Sequence, residues 1–285
     1  MPGLLGIGNV VVDVYRDDLL AYPGGNALNV AVYHRLLHSS PAGFIGLLGT
    51  DRYSDHITDV SSALGVDVSR SRRVVGETGR TLVDISADGD RVFAATNRGG
   101  VQAEVSLRLN EDDLELVDDY DFVHTSVYAG LDPQIPALAA RTRVTYDFSA
   151  PGTRDVDLSI LEHIECAFFS ASDMSEPQRE EFVRTCFDFG ATTVILTAGV
   201  EGAYGYTREE AHHQPSDEAE LVDALGAGDG FISGFLHSWQ RESDLRTALR
   251  SGARSGAEAC GFRGAFGHPL PATRDEMAAL LRNPV

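Results

Sequence analysis

Residues 223–230 read Asp-Ala-Leu-Gly-Ala-Gly-Asp-Gly, and an apolar segment follows them directly. The large apolar side chains of that segment recur at helical spacing: Phe231, Ile232, Phe235, Leu236 and Trp239. This spacing predicts a buried helix that begins near Ala227. Gly226, Ala227 and Gly228 then lie at the amino end of the helix. Backbone amides have no partner within the helix there, and small side chains let an anion come close.

Asp229 lies in the first turn of the predicted helix, where its carboxylate could take a proton from a hydroxyl group. A loop that stabilises an anion, followed by a base, is a layout for phosphoryl transfer to an alcohol. An Asp-rich turn that caps a core helix is the structural alternative, and these eight residues do not decide between the two. Their spacing matches neither the Walker loop nor the dinucleotide-binding fingerprint.

The composition is that of a globular protein with a full core, because 43% of the 285 residues are hydrophobic and 23% are charged. The chain contains 43 acidic residues against 23 arginines and no lysine, which gives a net charge of −20. This charge argues against a nucleic-acid partner or an anionic membrane.

Three widely spaced cysteines favour a reducing compartment, and the first residues lack a basic leader and a long apolar run. We therefore expect a cytoplasmic protein.

Apolar, β-branched segments predict strands at residues 4–14 (ending at about Asp13), 42–48, 122–128, 143–148, 166–170 and 193–197. Helices are predicted at 53–64, 133–140, 156–163 and 177–189, and after the glycine turn at residues 24–25 as far as about Leu37. This alternation predicts an α/β fold with a parallel sheet and helices on both faces. A predicted hairpin, 80–86 with 91–96, stands outside the alternation and suggests a small β flap. No linker divides the chain, so we expect a single domain, 1–285.

Ligands of such sheets collect at the carboxyl ends of the strands. Asp13 is predicted at one such end, and the Gly24-Gly25-Asn26 turn follows with Asn29 one helical turn later. Amide side chains both donate and accept, so they suit a neutral polyhydroxyl ligand. The structural alternative is a helix start with Asn26 as its cap, and Asp13 could equally cap a turn.

The loop Thr197-Ala198-Gly199-Val200-Glu201-Gly202 follows a clean apolar strand. Its glycines would leave room for the phosphates or ribose of a nucleotide, although an ordinary loop between strands fits as well. No group of His, Cys, Asp and Glu has convincing metal spacing, and we interpret His124, with four other histidines, as structural.

Taken together, the order of these segments resembles the ribokinase-type (PfkB) family of sugar kinases. Residues 24–31, Gly-Gly-Asn-Ala-Leu-Asn-Val-Ala, are similar to the first signature of the family, and residues 223–229 are similar to the second. The resemblance covers nearly the whole chain. It implies a ribokinase-like parallel-sheet core with a small β lid, formed here by about residues 14–22 and 79–99. It also implies transfer of the ATP γ-phosphate to a primary hydroxyl of a sugar, with Mg²⁺.

The resemblance assigns roles to residues that match the signatures. Asp229 becomes the general base, and the amides of Gly226, Ala227 and Gly228 form the anion hole. The residues implied to hold the sugar are Asp13, Gly25, Asn26 and Asn29. The residues implied to hold the nucleotide are Thr197, Gly199 and Gly202, together with Gly228. The lid often mediates dimer contacts in this family, so a homodimer is an expectation as well.

Two departures from the family pattern concern cations. Ala224 stands where the second signature usually has Thr, which puts a monovalent-cation site in doubt. The Asn-x-x-Glu magnesium motif of the family should fall within residues 170–176, where the nearest fit is Ser170 with Asp173, and Glu176 is the alternative.

Within the family, three short runs resemble members that phosphorylate fructosamines: residues 22–33, 90–93 and 147–149. A fructosamine derived from an amino acid carries a carboxylate, so the lid should offer a cation, and Arg98 is the candidate. A solvated lid arginine is the structural alternative. Two other functions stay open at this point: a nucleoside kinase of the same fold, and a catalytically idle relative that binds a sugar or a nucleotide.

Overall fold

The computed structural model describes residues 3–85, 91–152 and 157–283. Its strands are β1 (Leu4–Gly8), β2 (Val11–Tyr15), β3 (Leu20–Gly24), β4 (Ala42–Leu48), β5 (Val66–Asp67), β6 (Arg72–Arg73), β7 (Arg80–Ile85), β8 (Arg91–Thr96), β9 (Phe122–Ser126), β10 (Arg143–Asp147), β11 (Cys166–Ser170), β12 (Thr193–Thr197), β13 (Ala203–Tyr206), β14 (Ala211–Gln214) and β15 (Leu270–Pro271). Its α-helices are α1 (Asn26–His38), α2 (Arg52–Ala63), α3 (Val101–Glu104), α4 (Glu111–Val117), α5 (Ile135–Ala139), α6 (Glu176–Asp188), α7 (Ala227–Glu242), α8 (Leu245–Ala259) and α9 (Arg274–Leu280). Short 3₁₀ helices cover Asp132–Gln134, Leu158–His163 and Gly199–Glu201.

The larger sheet has the strand order β14-β13-β12-β11-β10-β9-β1-β4-β5, and β6 also pairs with β4. All neighbours from β12 to β5 are parallel, whereas β13 and β14 add an antiparallel edge. The parallel strands β1, β4 and β9 are buried along their whole length and hence on both faces, as helix-covered sheets require. The predicted α/β architecture is therefore confirmed.

Alternate residues of the central strands pack into two separate hydrophobic clusters. Leu4 and Phe122 face a cluster that includes apolar residues of α1, α7 and α8. Leu5 and Val123 face the opposite cluster, which includes residues of α5 and α6. Because side chains alternate along a strand, each strand anchors helices on both sides of the sheet. This arrangement places the amino ends of α1 and α7 on the same face.

A second, smaller sheet has the order β15-β3-β2-β7-β8. The predicted hairpin is present as antiparallel β7 and β8, and its turn at residues 86–90 lies outside the described residues. β2 joins the hairpin to β3, since it pairs with β3 on one side and with β7 on the other. The strand β3 then leads directly into α1, so the second sheet is attached to the helix that carries Asn26 and Asn29.

Some predicted elements were wrong in detail. The segment 4–14 is two strands in different sheets, and between them Gln102 of α3 bonds both the backbone amide and the carbonyl of Val10. Asp13 consequently lies inside β2 and not at the end of a strand of the larger sheet. The predicted helix at 133–140 begins as a 3₁₀ turn, and residues 158–163 of the predicted helix 156–163 form a 3₁₀ helix. Within the described residues, no helix has both the length and the apolar character needed to cross a bilayer.

Candidate active site

The first active-site helix begins abruptly at Gly25. This residue is the N-cap of α1 and has a φ of 119°, a conformation that favours glycine. A Cβ atom on Gly25 would lie 2.4 Å from the carbonyl oxygen of Asn9, so the chain has no room for a side chain there. The close approach fixes the start of α1 against the junction of β1 and β2. Asn26 and Asn29 therefore project from the first turn at the carboxyl edge of the larger sheet.

The second active-site helix, α7, is preceded by a buried anchor. Asp223 is fully buried, and its carboxylate accepts hydrogen bonds from the hydroxyl of Tyr15 at 2.6 Å and from the amides of Leu225 and Gly264. Gly226 then adopts a φ of 84°, and α7 starts at the next residue. These contacts tie the loop before α7 to the second sheet and set the position of Asp229.

Asp229 meets Asn26 and Asn29 across this crevice. Asn26 Nδ2 lies 2.7 Å from one carboxylate oxygen of Asp229, and Asn29 Nδ2 lies 2.7 Å from the other. Asn26 Nδ2 also donates to Asp147 Oδ2 at 2.8 Å. Segments 200 residues apart in the sequence thus form one polar cluster.

Asp13 and Asn29 flank Gly24 at the same place. A Cβ atom on Gly24 would lie 2.7 Å from Asp13 Oδ2 and 3.9 Å from Asn29 Oδ1. Asn29 Oδ1 is buried and has no hydrogen-bond partner among the described residues. A buried acceptor without a partner is costly unless a ligand satisfies it. These two side chains can therefore receive hydroxyl groups of a bound molecule.

Three carboxylates of the cluster have raised pKa values. Burial and the neighbouring Asp147 raise the pKa of Asp229 to about 7, against the opposing effect of the Asn29 and Asn26 hydrogen bonds. Burial, Asp229 and Asp223 raise the pKa of Asp13 to about 7. Burial raises the pKa of Asp147 to about 6. Within the described part of the chain, no arginine forms an ion pair with these three groups.

The amino end of α7 offers backbone donors beside Asp229. The amides of Gly228 and Asp229 donate to no acceptor among the described residues, whereas the Ala227 amide makes a long turn bond to the Ala224 carbonyl at 3.2 Å. A Cβ atom on Gly228 would meet nothing within 4 Å, so this face is open. The helix has 16 residues, and its dipole adds partial positive charge at this end. The arrangement suits an anion next to the Asp229 carboxylate.

The glycine loop after β12 lies further along the same edge. Thr197 ends β12, and Asp147 ends β10, which lies two strands away in the sheet. At the usual spacing of strands, the two strand ends are about 10 Å apart across the sheet. Gly199 and Gly202 have φ values of 55° and 98°, and the Ala198 amide closes the loop by donating to the Gly202 carbonyl at 2.8 Å. Thr197, Gly199 and Gly202 are thus on the correct edge but outside the carboxylate cluster.

Three further predicted residues also lie outside the cluster. Arg98 is exposed, has a φ of 61° and sits in the turn after β8. Asp173 and Glu176 are exposed, on the turn after β11 and at the first residue of α6. Among the described residues, no group of three His, Cys, Asp or Glu side chains is placed to hold a metal ion.

Two members of the site were not recognised from the sequence. Asp147 ends β10 and shares the Asn26 amide with Asp229, and His124 of β9 lies with its Nε2 atom 3.1 Å from Asn26 Oδ1. Asp147 could have been found from its position, since it ends a predicted strand of a parallel sheet. His124 left no such signal, because a single histidine in an apolar strand is typical of a protein core.

Comparisons with known proteins show the fold and the family of the chain. The chain superposes on ribokinase from Thermotoga maritima with a TM-score of 0.76 over 99% of both chains at 20% identity, which shows the fold. It is 39% identical over 269 residues to fructosamine kinase FrlD of Bacillus subtilis (strain 168), covering 94% of each chain. It is 32% identical to fructoselysine 6-kinase of Escherichia coli (strain K12), covering 93% of this chain and 100% of that one. The model of the pfkB family carbohydrate kinases matches residues 9–272. The chain therefore belongs to the pfkB family of carbohydrate kinases.

Proposed function

We propose that this carbohydrate kinase transfers the γ-phosphoryl group of ATP to a primary hydroxyl of a fructosamine, a ketose derivative that carries the amino group of an amino acid. The observation that carries the proposal is the Asp229 carboxylate, which two asparagine amides hold at the amino end of α7. The two relatives named above, a fructosamine kinase and a fructoselysine 6-kinase, indicate the substrate class.

In the proposed reaction, Asp229 accepts the proton of the substrate hydroxyl. The hydroxyl oxygen forms a bond to the γ-phosphorus as the bond between that phosphorus and the β–γ bridging oxygen breaks, and ADP leaves. The amides of Gly228 and Asp229, which donate to no acceptor among the described residues, are proposed to face the negative charge on the transferred group, together with the amides of Gly226 and Ala227. A base with a pKa of about 7 is ionised in part at neutral pH and can still take the proton efficiently.

Asp13 and Asn29 are proposed to hold the sugar hydroxyls. The carboxylate of Asp13 accepts from two hydroxyl groups, and the buried Oδ1 atom of Asn29 accepts from another. Gly25 is proposed to support the sugar site by fixing the start of α1 against Asn9, and Asn26 contributes the remaining acceptor capacity of its Oδ1 atom. A protein that only bound a sugar would not need a base beside a helix amino end, so this arrangement favours an active enzyme over an idle relative.

The nucleotide is proposed to lie along the loop that holds Thr197, Gly199 and Gly202. Mg²⁺ usually keeps several waters and takes one or two protein carboxylates in addition to the phosphates. Asp173 and Glu176 are exposed carboxylates on the edge next to this loop, because β11 pairs directly with β12. They fit the role of these one or two carboxylates, and the ion would neutralise the charge of the phosphates. A monovalent cation near Ala224 also remains an expectation from the family resemblance.

The second sheet is proposed to act as the lid, with Arg98 as the cation that meets the amino-acid carboxylate of the substrate. Asn97 next to it fixes the turn, since its side chain bonds the Arg80 amide and the Thr78 carbonyl. The same sheet would carry the contacts of a homodimer, and we propose a cytoplasmic location. Closure of a lid matters for a kinase because it excludes water that would otherwise accept the phosphoryl group.

The test is a measurement of ADP release with fructosamines, free hexoses and nucleosides, each with and without Mg²⁺. We expect the highest kcat/KM with a fructosamine of an amino acid. Arg98→Ala should raise KM for that substrate by about 10-fold, because one charge-assisted hydrogen bond is lost, and should leave KM for fructose unchanged. Arg184→Ala, which removes an exposed arginine from α6, is the matched control. Preferential turnover of nucleosides contradicts the proposed substrate class, and equal losses on both sugars exclude the role of Arg98.

A further inference from the structure

His124 contacts the active site through Asn26. The histidine is fully buried in β9, with Nε2 3.1 Å from Asn26 Oδ1 and Nδ1 2.9 Å from the Thr145 hydroxyl. Its ring packs edge-on against Phe168, at 6.4 Å between ring centroids. The side chain therefore has one polar partner on each ring nitrogen and an apolar surface around it.

The contacts fix the proton on this ring. Both hydrogens of the Asn26 amide are directed at carboxylates, Asp147 at 2.8 Å and Asp229 at 2.7 Å, so it is the amide oxygen that faces His124. An acceptor at that position requires a proton on Nε2. Burial lowers the pKa of His124 to about 3, so the ring is neutral at physiological pH. Nδ1 then carries no proton and accepts from the Thr145 hydroxyl.

We propose that His124 is a positioning residue for the kinase reaction, because its Nε2–H group holds Asn26 in the one orientation that directs both amide hydrogens at the carboxylates of Asp147 and Asp229. The proposal rests on the proposed function in one respect, the role of Asp229 as the base. Thr145 supports the arrangement by occupying the other ring nitrogen.

The orientation of Asn26 matters because a reversed amide changes what Asp229 meets. Its oxygen would then face the oxygens of both carboxylates at the distances now spanned by hydrogen bonds, and the negative groups would move apart. A displacement of a catalytic group by about 1 Å costs on the order of 100-fold in rate. Of the proposed sugar contacts, those of Asp13 and Asn29 do not depend on His124, and only the single contact of Asn26 Oδ1 does. Loss of the Nε2–H donor should therefore lower kcat far more than it raises KM.

Two substitutions separate the donor from the shape of the ring. His124→Phe keeps a planar ring and removes the donor, and we expect kcat to fall about 100-fold with KM within about threefold of the wild type. His124→Gln can place an amide NH₂ group near the position of Nε2, and we expect it to recover at least about tenfold of that loss. Thr125→Val is the matched control: it removes a buried hydroxyl without a partner among the described residues from the next position of β9, on the opposite face of the sheet.

The spectroscopic test needs no substrate. Protein labelled with ¹⁵N at histidine should show the neutral Nε2–H tautomer for His124 from pH 5 to pH 8, with the signal assigned by its absence in His124→Gln. An Nδ1–H tautomer overturns the proposal, and so does unchanged kcat in a folded His124→Phe protein. A wild-type protein that phosphorylates no sugar, while its His124 shows the Nε2–H tautomer, instead overturns the proposed function.

Discussion

Asp229→Asn is the substitution that tests the chemistry of the site most directly. It preserves the shape of the side chain and removes the carboxylate that we propose takes the substrate proton. One oxygen remains to accept from Asn26 or Asn29, and the new NH₂ group faces the other amide, where the structure has a 2.7 Å hydrogen bond. We expect the variant to fold, because the loss of one bond is offset by the loss of a buried negative charge beside Asp147 and Asp13.

The expected loss of turnover follows from the role of a positioned base, which contributes about 10²–10⁴-fold. At about 1.36 kcal/mol for each factor of ten, this corresponds to about 2.7–5.4 kcal/mol of activation free energy. The donor–donor contact would by itself cost about 1–3 kcal/mol of the free energy of unfolding. The two effects are separable, since the first changes kcat and the second changes the unfolding midpoint.

The assay is steady-state ADP release at saturating sugar and ATP, together with thermal unfolding of each variant. Asp147→Asn is the matched control, because it removes the same charge from the same Asn26 amide without removing the base, and we expect it to keep at least about a tenth of wild-type turnover. Asp229→Asn with turnover within tenfold of the wild type would refute the assignment of the base. Equal losses in the two variants would indicate that charge around Asn26, and not proton transfer, limits the rate.

Two further predictions concern pH. A base with a pKa of about 7 predicts that kcat/KM falls on the acid side of pH 7, with only about one tenth of Asp229 ionised at pH 6, and a profile that is flat from pH 5 to pH 8 contradicts this. Because the folded state raises the pKa of Asp13 from 3.8 to about 7, it binds that proton more tightly than the unfolded chain does, so the contribution of Asp13 to stability falls as pH rises from about 4 to about 7. Asp13→Asn should therefore increase the free energy of unfolding at pH 8 and have little effect at pH 4 in denaturant titrations, and a loss of stability at pH 8 contradicts the destabilising effect of the buried Asp13 charge.

Local sequence determined the two helix starts that carry the chemistry. Gly25 and Gly226 adopt backbone conformations that disfavour side chains, and each comes directly before a helix. The spacing of Phe231 and Phe235 predicted the start of α7 at the correct residue, because burial of a helical face requires that period. The membership of the carbohydrate kinase family, predicted from the two signatures, is confirmed by the family match.

The boundary between the two sheets could not be predicted from the sequence. Residues 4–14 are mostly apolar, and the Gln102 side chain, about ninety positions away in the sequence, bonds the backbone of Val10 between the two strands. The pairing of β2 with β7 then moves Asp13 into the second sheet. Strand pairing depends on partners distant in the chain, and no local pattern specifies them.

What the sequence determined by itself was a carboxylate in the first turn of a helix, after small residues that admit an anion, and, through the two signatures, the kinase family. What only the tertiary structure decided was the environment of that carboxylate. Asp147 and His124 reach Asp229 through Asn26, from strands that lie side by side in the sheet and far from α7 in the sequence. The pKa of a carboxylate depends on burial and on neighbours within a few ångströms, and these are set by packing.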